Sequence, residues 1–348
     1  MGVRLLKGTR SFPITRSFFE LPSTPRLLIP RPAPPPGFPT PHLLLATPSP
    51  SYRGRFAPSP TGPLHFGSLA TAVGSFLDAR AHCGQWLLRM EDLDPPREPP
   101  GAAAAILRSL DTFGLHWDGA VLYQHTRLDA YQAAVERLLA AGLTFPCACS
   151  RTEIADSGLR GLEGPVYPGT CRHGLPPGRP ARTIRLHAAE GEMLSFDDAI
   201  QGPVRQHLAK EVGDFVIRRA DGGFAYQLAV VLDDAFQGIT HVVRGADLLL
   251  STPRQLYLQR LLHLPPLIYM HLPAAVNAAG EKLSKQTHAA AVNDARAPVL
   301  LFQVLAFLRQ EPPPELCGST VTELLHWGVS HWRPMRMSGS QTQKIVLE

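Results

Sequence analysis

The sequence predicts an α/β fold built on a parallel sheet, with ligands held at the carboxyl ends of its strands. Three observations lead there. Short apolar segments alternate with helical stretches that stop at glycine. A proline-stiffened turn opens directly into a helix near residue 65. The 348 residues suffice for one large domain with insertions, or for two domains.

The first element is the most informative. Gly54-Arg55-Phe56-Ala57-Pro58-Ser59-Pro60-Thr61-Gly62-Pro63-Leu64-His65-Phe66-Gly67-Ser68 couples a short apolar entry to a stiff turn and a His-x-Gly-Ser. Leu69, Val73, Phe76 and Leu77 follow at helical spacing, which predicts an amphipathic helix with one buried face. Its N-terminus offers backbone N–H groups and the positive end of the helix dipole to a phosphate. His65 adds a donor there, and Gly67 lets the backbone approach a nucleotide closely.

Gln85-Trp86-Leu87-Leu88-Arg89-Met90 reads as a buried strand that ends at Glu91. Helices are expected over 102–113 and 128–141, with Gly114 and Gly142 as their stops. Residues 143–185, rich in Cys, Pro and Gly, interrupt the alternation. Regular elements resume at 215–219 and 226–232, with a short apolar strand over 240–244 and a helical stretch over 298–308. The resulting division is 53–142 and 186–310 as two halves of one domain, 143–185 as an insertion, and 311–348 as a short C-terminal segment.

The formal charge of +5 sits entirely in residues 1–52, which hold six Lys/Arg and one acid; the rest is balanced. RNA binding by the body therefore has to come from local patches rather than net charge. The same 52 residues carry 12 of the 35 prolines and no sustained period, so they are expected to be a disordered, inert extension. Their Arg-rich, acid-poor composition superficially matches a transit peptide, but the expected location is the cytoplasm. No apolar run reaches the roughly 18 residues that span a bilayer, so no membrane partner is expected.

Of the five cysteines, Cys83 and Cys317 stand alone. Cys147, Cys149 and Cys171 cluster inside the insertion, which suggests a structural zinc. A disulfide reading is weaker, because three is odd and an intracellular chain is kept reduced. Coordination chemistry favours His173 as the fourth ligand.

The 54–68 stretch resembles the first signature of class I aminoacyl-tRNA synthetases of the glutamyl type. Gly280-Glu281-Lys282-Leu283-Ser284-Lys285-Gln286 resembles the Lys-Met-Ser-Lys-Ser loop that closes over ATP in the same enzymes, with Leu283 for Met and Gln286 for the last Ser. The resemblance covers roughly residues 53–335 and implies a Rossmann-like catalytic domain with a zinc-binding insertion. The 348-residue chain leaves too short a stretch after the second signature for an anticodon-binding domain, as in the family's short paralogues. It further implies ATP held by His65, Gly67, Ser68, Lys282, Ser284 and Lys285, with His65 and Lys285 serving catalysis and magnesium accompanying the nucleotide.

Glutamate carries two carboxylates and one ammonium, so its pocket requires at least one arginine and one acid. Arg55, Ser59, Glu91, Tyr226 and Arg244 match the family's glutamate-contacting positions. For the zinc, the resemblance points to Tyr167 rather than His173. It implies a monomer that activates glutamate and transfers it to queuosine in the anticodon loop of tRNA(Asp), as the short paralogues do. The competing readings are a truncated glutamyl-tRNA synthetase charging tRNA(Glu), a non-catalytic RNA-binding relative, and a small-molecule nucleotidyltransferase.

Overall fold

The computed structural model describes residues 52–277, 280–281 and 290–345. These belong to a single unit of the chain, Pro48–Glu348. The extension expected over 1–52 lies outside the described residues except for Tyr52, whose side chain is buried.

Strand β1 (Arg53–Phe56) runs into the proline-rich turn, α1 (Phe66–Ala81) crosses over, and β2 (Gln85–Met90) returns parallel to β1. α2 (Ala102–Thr112) follows, then β3 (Leu122–Tyr123), parallel to the end of β2. α3 (Leu128–Ala140) leads into β4 (Thr144–Cys147). Both expected helices stop at the expected glycines. Gly114 (φ 65°) and Gly142 (φ 67°) take the left-handed conformation, and Leu115 and Leu143 N–H close back on the Leu110 and Leu138 carbonyls.

The insertion holds α4 (Arg151–Asp156) and the two-residue strands β5 (Arg160–Gly161) and β6 (Gly164–Pro165). It is not an independent appendage. Its last strand, β7 (Thr183–Leu186), pairs antiparallel with β4 on one side and with β10 on the other. Between them come the hairpin β8 (Met193–Asp198) and β9 (Gly202–His207), α5 (Leu208–Glu211) and β10 (Phe215–Arg218). Parallel pairing is thus confined to part of the body.

The second parallel unit follows. α6 (Tyr226–Phe236) leads to β11 (His241–Gly245), and α7 (Thr252–Leu261) crosses to β12 (Ile268–Leu272), parallel to β11. Thr240 joins the two parallel units: its N–H donates to the Arg53 carbonyl, and its hydroxyl accepts from the Arg53 N–H, both at 2.9 Å. β13 (Ala274–Val276) pairs with the last strand, β14 (Thr342–Lys344), and α8 (Ala297–Phe307) and α9 (Val321–Ser330) lie between them in sequence.

The amphipathic expectation for the first helix needs correction. α1 is buried nearly all round, including Ala70, Ala72, Gly74, Ser75 and Asp78. It packs on β1, β2 and β11 and is covered by α8 and α9, which the apolar spacing of α1 alone does not reveal. Its polar end is satisfied internally, with Asp78 accepting from the Tyr52 hydroxyl and from Trp332 Nε1.

The junction of α1 with β2 leaves no room at Gly84. A Cβ there would lie 2.6 Å from the Tyr52 carbonyl oxygen, which also accepts the Gln85 N–H. Gly84→Ala is therefore expected to cost about 1–3 kcal/mol of stability by overpacking. In urea unfolding this appears as a lower midpoint with an unchanged slope.

Candidate active site

A cavity of about 450 Å³ opens where β1, β2 and β11 end, the usual ligand position of an open parallel sheet. Arg55, Ser59, Glu91, Tyr226 and Arg244 all line it, and His65, Gly67 and Ser68 form another part of its wall. The structure thus brings together eight of the site residues named from the sequence. Lys282, Ser284 and Lys285 lie outside the described residues. Their loop is flanked by a turn in which Asn277 N–H donates to the Glu281 carbonyl. On the far flank, Ala291 forms an antiparallel bridge with His65.

Strand alternation explains the charges on one side. Arg55 of β1 is registered with Leu87 of β2, so Arg89 and then Glu91 follow on the same face towards the strand end. Burying those two arginines demands a carboxylate, and α6 supplies Asp234. Arg55 Nε lies 3.0 Å from Asp234 Oδ1, and Arg89 Nη1 lies 2.8 Å from the same oxygen. Arg89 also donates to Gln237 at 2.8 Å and to Glu91 at 3.4 Å. Burial alone would raise the Asp234 carboxyl, but Arg55 and Arg89 overcome it and hold it below the usual carboxylate range. Glu91 goes the other way. Burial pushes its carboxyl up, and Arg89 and Arg55 only partly offset this.

Arg244, at the end of β11, is buried in different company. Nε donates to His271 Nε2 at 3.0 Å, one Nη to Thr252 Oγ1 at 2.8 Å, and the other to the Tyr226 hydroxyl at 3.3 Å. His271 Nδ1 is 2.6 Å from Asp198 Oδ2. Burial and Arg244 push the His271 imidazole down to about 4, against the pull of the Asp198 hydrogen bond.

His65 caps α1. Its Nδ1 accepts the Ser68 N–H at 3.3 Å, and Nε2 lies 3.0 Å from Ser68 Oγ. A Cβ on Gly67 would lie 3.3 Å from that ring.

Arg89, Asp234, Asp198, Thr252 and His271 were not singled out from sequence. A signal existed for some of them. Arg89 interrupts an apolar strand, and Asp233-Asp234 interrupts the apolar run of α6, where an acid is buried only with a partner.

The insertion gathers a second constellation. The sulfurs of Cys147, Cys149 and Cys171 lie within 4.8 Å of one another and are buried. The Tyr167 hydroxyl is 3.4 Å from Cys147 Sγ and 3.9 Å from Cys149 Sγ, and it accepts the Cys171 N–H at 2.7 Å. His173, the other candidate, is exposed. The donor set can hold a metal: thiolates about 2.3 Å from a tetrahedral ion stand about 3.8 Å apart, and Cys149 Sγ and Cys171 Sγ are 3.7 Å apart. Burial raises the Cys147 thiol, but its hydrogen bonding with Tyr167 and Arg185 outweighs this and lowers it overall.

Comparison with known proteins places this arrangement. The family model of the catalytic domain of class I tRNA synthetases (E and Q) matches residues 51–299. Glutamyl-Q tRNA(Asp) synthetase of Dechloromonas aromatica (strain RCB) is 60% identical over 283 residues, covering 81% of this chain and 94% of that protein. The protein of the same name from Neisseria meningitidis serogroup B is 53% identical over 286 residues, covering 81% and 95%. Among solved structures, a glutamate tRNA ligase from Elizabethkingia meningosepticum in complex with its amino acid is 27% identical with a TM-score of 0.59. The match covers 68% of this chain and 52% of that one, about half its length. The glutamate-tRNA synthetase of Elizabethkingia anophelis, 22% identical with a TM-score of 0.70 over 85% of this chain and 68% of that one, shares the fold.

The depressed His271 makes stability pH-dependent. An unfolded histidine protonates near 6.5 whereas the buried ring resists until about 4, so the unfolded state binds more protons between those values. Stability is fully present above pH 6.5 and is lost as pH falls towards 4, with the depressed Asp198 adding a further loss below that. In thermal melts, His271→Gln should lose less stability than the native chain over that window.

Proposed function

The chain belongs to the class I tRNA synthetases of the E and Q type, and on that premise we propose that it activates glutamate with ATP and transfers it to queuosine in tRNA(Asp). One observation carries the choice of amino acid. Two buried arginines, a half-buried carboxyl raised by its surroundings, and the Ser59 and Tyr226 side chains surround one cavity at the strand ends. That set complements two carboxylates and one ammonium. A bound ammonium beside Glu91 would oppose that upward shift and favour the ionised carboxylate. The acceptor rests on relatives that are 53–60% identical over four-fifths of this chain and carry the name glutamyl-Q tRNA(Asp) synthetase.

In the activation step a glutamate carboxylate oxygen bonds to the α-phosphorus of ATP, and the bond to pyrophosphate breaks. No side chain needs to form a covalent intermediate, so the protein contributes positioning and charge stabilisation. His65, the first amides of α1 and Lys285 are assigned to the phosphates, with Lys282 and Ser284 in support and magnesium on the nucleotide. Transfer of the glutamyl group to the acceptor then releases AMP.

The three thiols and Tyr167 are proposed to hold one structural zinc, with Tyr167 preferred to His173 because its hydroxyl already sits among the sulfurs. We further propose a cytoplasmic monomer. No described helix is long and apolar enough to cross a membrane.

Without tRNA, the protein should support glutamate-dependent exchange of pyrophosphate into ATP, and Lys285→Ala should slow it by about two to four orders of magnitude. Exchange with another amino acid but not glutamate would remove the pocket assignment. Transfer is tested with tRNA(Asp) bearing or lacking queuosine, followed by nucleoside mass spectrometry. Equal glutamate transfer to the unmodified tRNA, or charging of tRNA(Glu), returns the reading to an ordinary glutamyl-tRNA synthetase.

Metal analysis should find about one zinc per chain, and Cys147→Ser should lower both zinc content and the stability of the insertion, because binding energy there is folding energy. Full zinc occupancy after loss of Cys147 and Cys171 together contradicts the site. Tyr167→Phe set against His173→Ala decides the fourth ligand.

A further inference from the structure

The buried arginines of the site are held in two chemically different ways. Arg55 and Arg89 share the Asp234 carboxylate, so much of their charge is already compensated. The hydrogen-bond partners that Arg244 has among the described residues are a tyrosine hydroxyl, a threonine hydroxyl and an imidazole. The imidazole is neutral by geometry. Its Nε2 accepts from a guanidinium N–H and so carries no proton, which leaves the proton on Nδ1, directed at Asp198 Oδ2.

We propose that His271 is a positioning residue for the substrate carboxylate: oriented by Asp198, it fixes the Arg244 guanidinium without neutralising it. The proposal rests on the glutamate-pocket reading above. A carboxylate at position 271 would form the kind of ion pair that Asp234 forms with Arg55, and would compete with the ligand for the same cation. An apolar residue would leave the buried Arg244 Nε–H unpaired and the guanidinium held only through its Nη groups, by Thr252 and Tyr226. Histidine does neither, because it presents a lone pair and no charge.

The rest of the shell fits that role. His271 and Arg244 are register partners on adjacent parallel strands, so the contact is built on rigid elements. His271 and Asp198 side chains are fully buried. The negative charge of Asp198 stays one imidazole away from Arg244, and its Oδ1 takes N–H groups from Gln201 at 2.9 Å and from Ile200 and the His271 backbone at 3.2 Å. The charged and titratable groups facing the ring are Asp198 from β8, Arg244 from β11, Asp247 from the turn after β11, and Tyr269 of its own strand. Burial holds the ring in its neutral form across the neutral pH range, with the pull of Asp198 and the push of Arg244 opposing each other.

The test is glutamate-dependent pyrophosphate exchange by the full chain, with KM for glutamate and for ATP measured separately, alongside the urea midpoint of each variant. His271→Gln supplies a neutral acceptor to Arg244 and a donor to Asp198, and should keep the glutamate KM within about threefold. His271→Leu should raise it about tenfold or more, as expected for losing a hydrogen bond to a charged group. His271→Glu should raise it by at least as much although it retains an acceptor, and the ATP KM should move less than about twofold in all three. A merely structural residue would order the variants by stability and shift both constants together. Should the leucine variant fail to fold, the Gln and Glu variants decide the matter, and a glutamate KM equal in the two overturns the proposal. Glutamate KM within about twofold of native in the Leu and Glu variants overturns it as well. Absence of glutamate-dependent exchange in the native chain is a different failure, which removes the pocket reading itself.

Discussion

The Asp234 carboxylate, placed between Arg55 and Arg89, is the constraint on which the site depends. Two neighbouring strands each carry an arginine on the same buried face, and neither charge can remain there unpaired. α6 answers both with one side chain, so its position against β1 and β2 is not free. Once α6 is seated, Tyr226 at its first turn necessarily faces the cavity, where it meets Arg244. Asp233, the next residue back, anchors the other side of the same helix, accepting from Gln124, Tyr131 and Arg127. The polar interior thus fixes the register of the helix as firmly as its apolar contacts do.

This arrangement gives the cavity an internal asymmetry. One wall carries arginines already matched to a carboxylate, with Glu91 beside them as an acid whose ionisation burial opposes. Elsewhere in the same cavity Arg244 sits among neutral acceptors. A zwitterion with an additional carboxylate suits such a site because each end meets the charge it needs. The side proposed to face the phosphates is built differently, from the amino end of α1, whose capping residue His65 is bridged to Ala291 on the far side of the second signature.

The insertion solves a separate problem. Its own core is small, with Phe145, Ile154 and Tyr167 as its larger buried members, and the three thiols occupy the centre of it. So little apolar surface does not order a Gly- and Pro-rich segment. A metal held by the thiols would provide the missing cohesion, while β4 and β7 at its two ends tie the segment into the β4–β7–β10 sheet and to the helices beneath.

The local features were legible in sequence because their causes are local. The glycine stops of α2 and α3, the strands at 85–90 and 240–244, the helix opening after His65 and the thiol cluster each follow from backbone freedom, apolar period or ligand spacing within a short stretch. The candidate pocket residues were named one at a time, from motifs and from resemblance, and their convergence on one cavity is a property of the folded chain. What the sequence misjudged or left open was long-range: α1, expected to bury one face, is buried nearly all round, and the antiparallel β4–β7–β10 group and the partners Asp234, His271 and Asp198 were not foreseen. Asp234 is 179 residues from Arg55, and Asp198 is 73 from His271. A charge in an apolar run announces that a partner exists, but only tertiary packing decides which of many distant residues it is, because Coulomb and hydrogen-bond energies depend on distance in space and not along the chain.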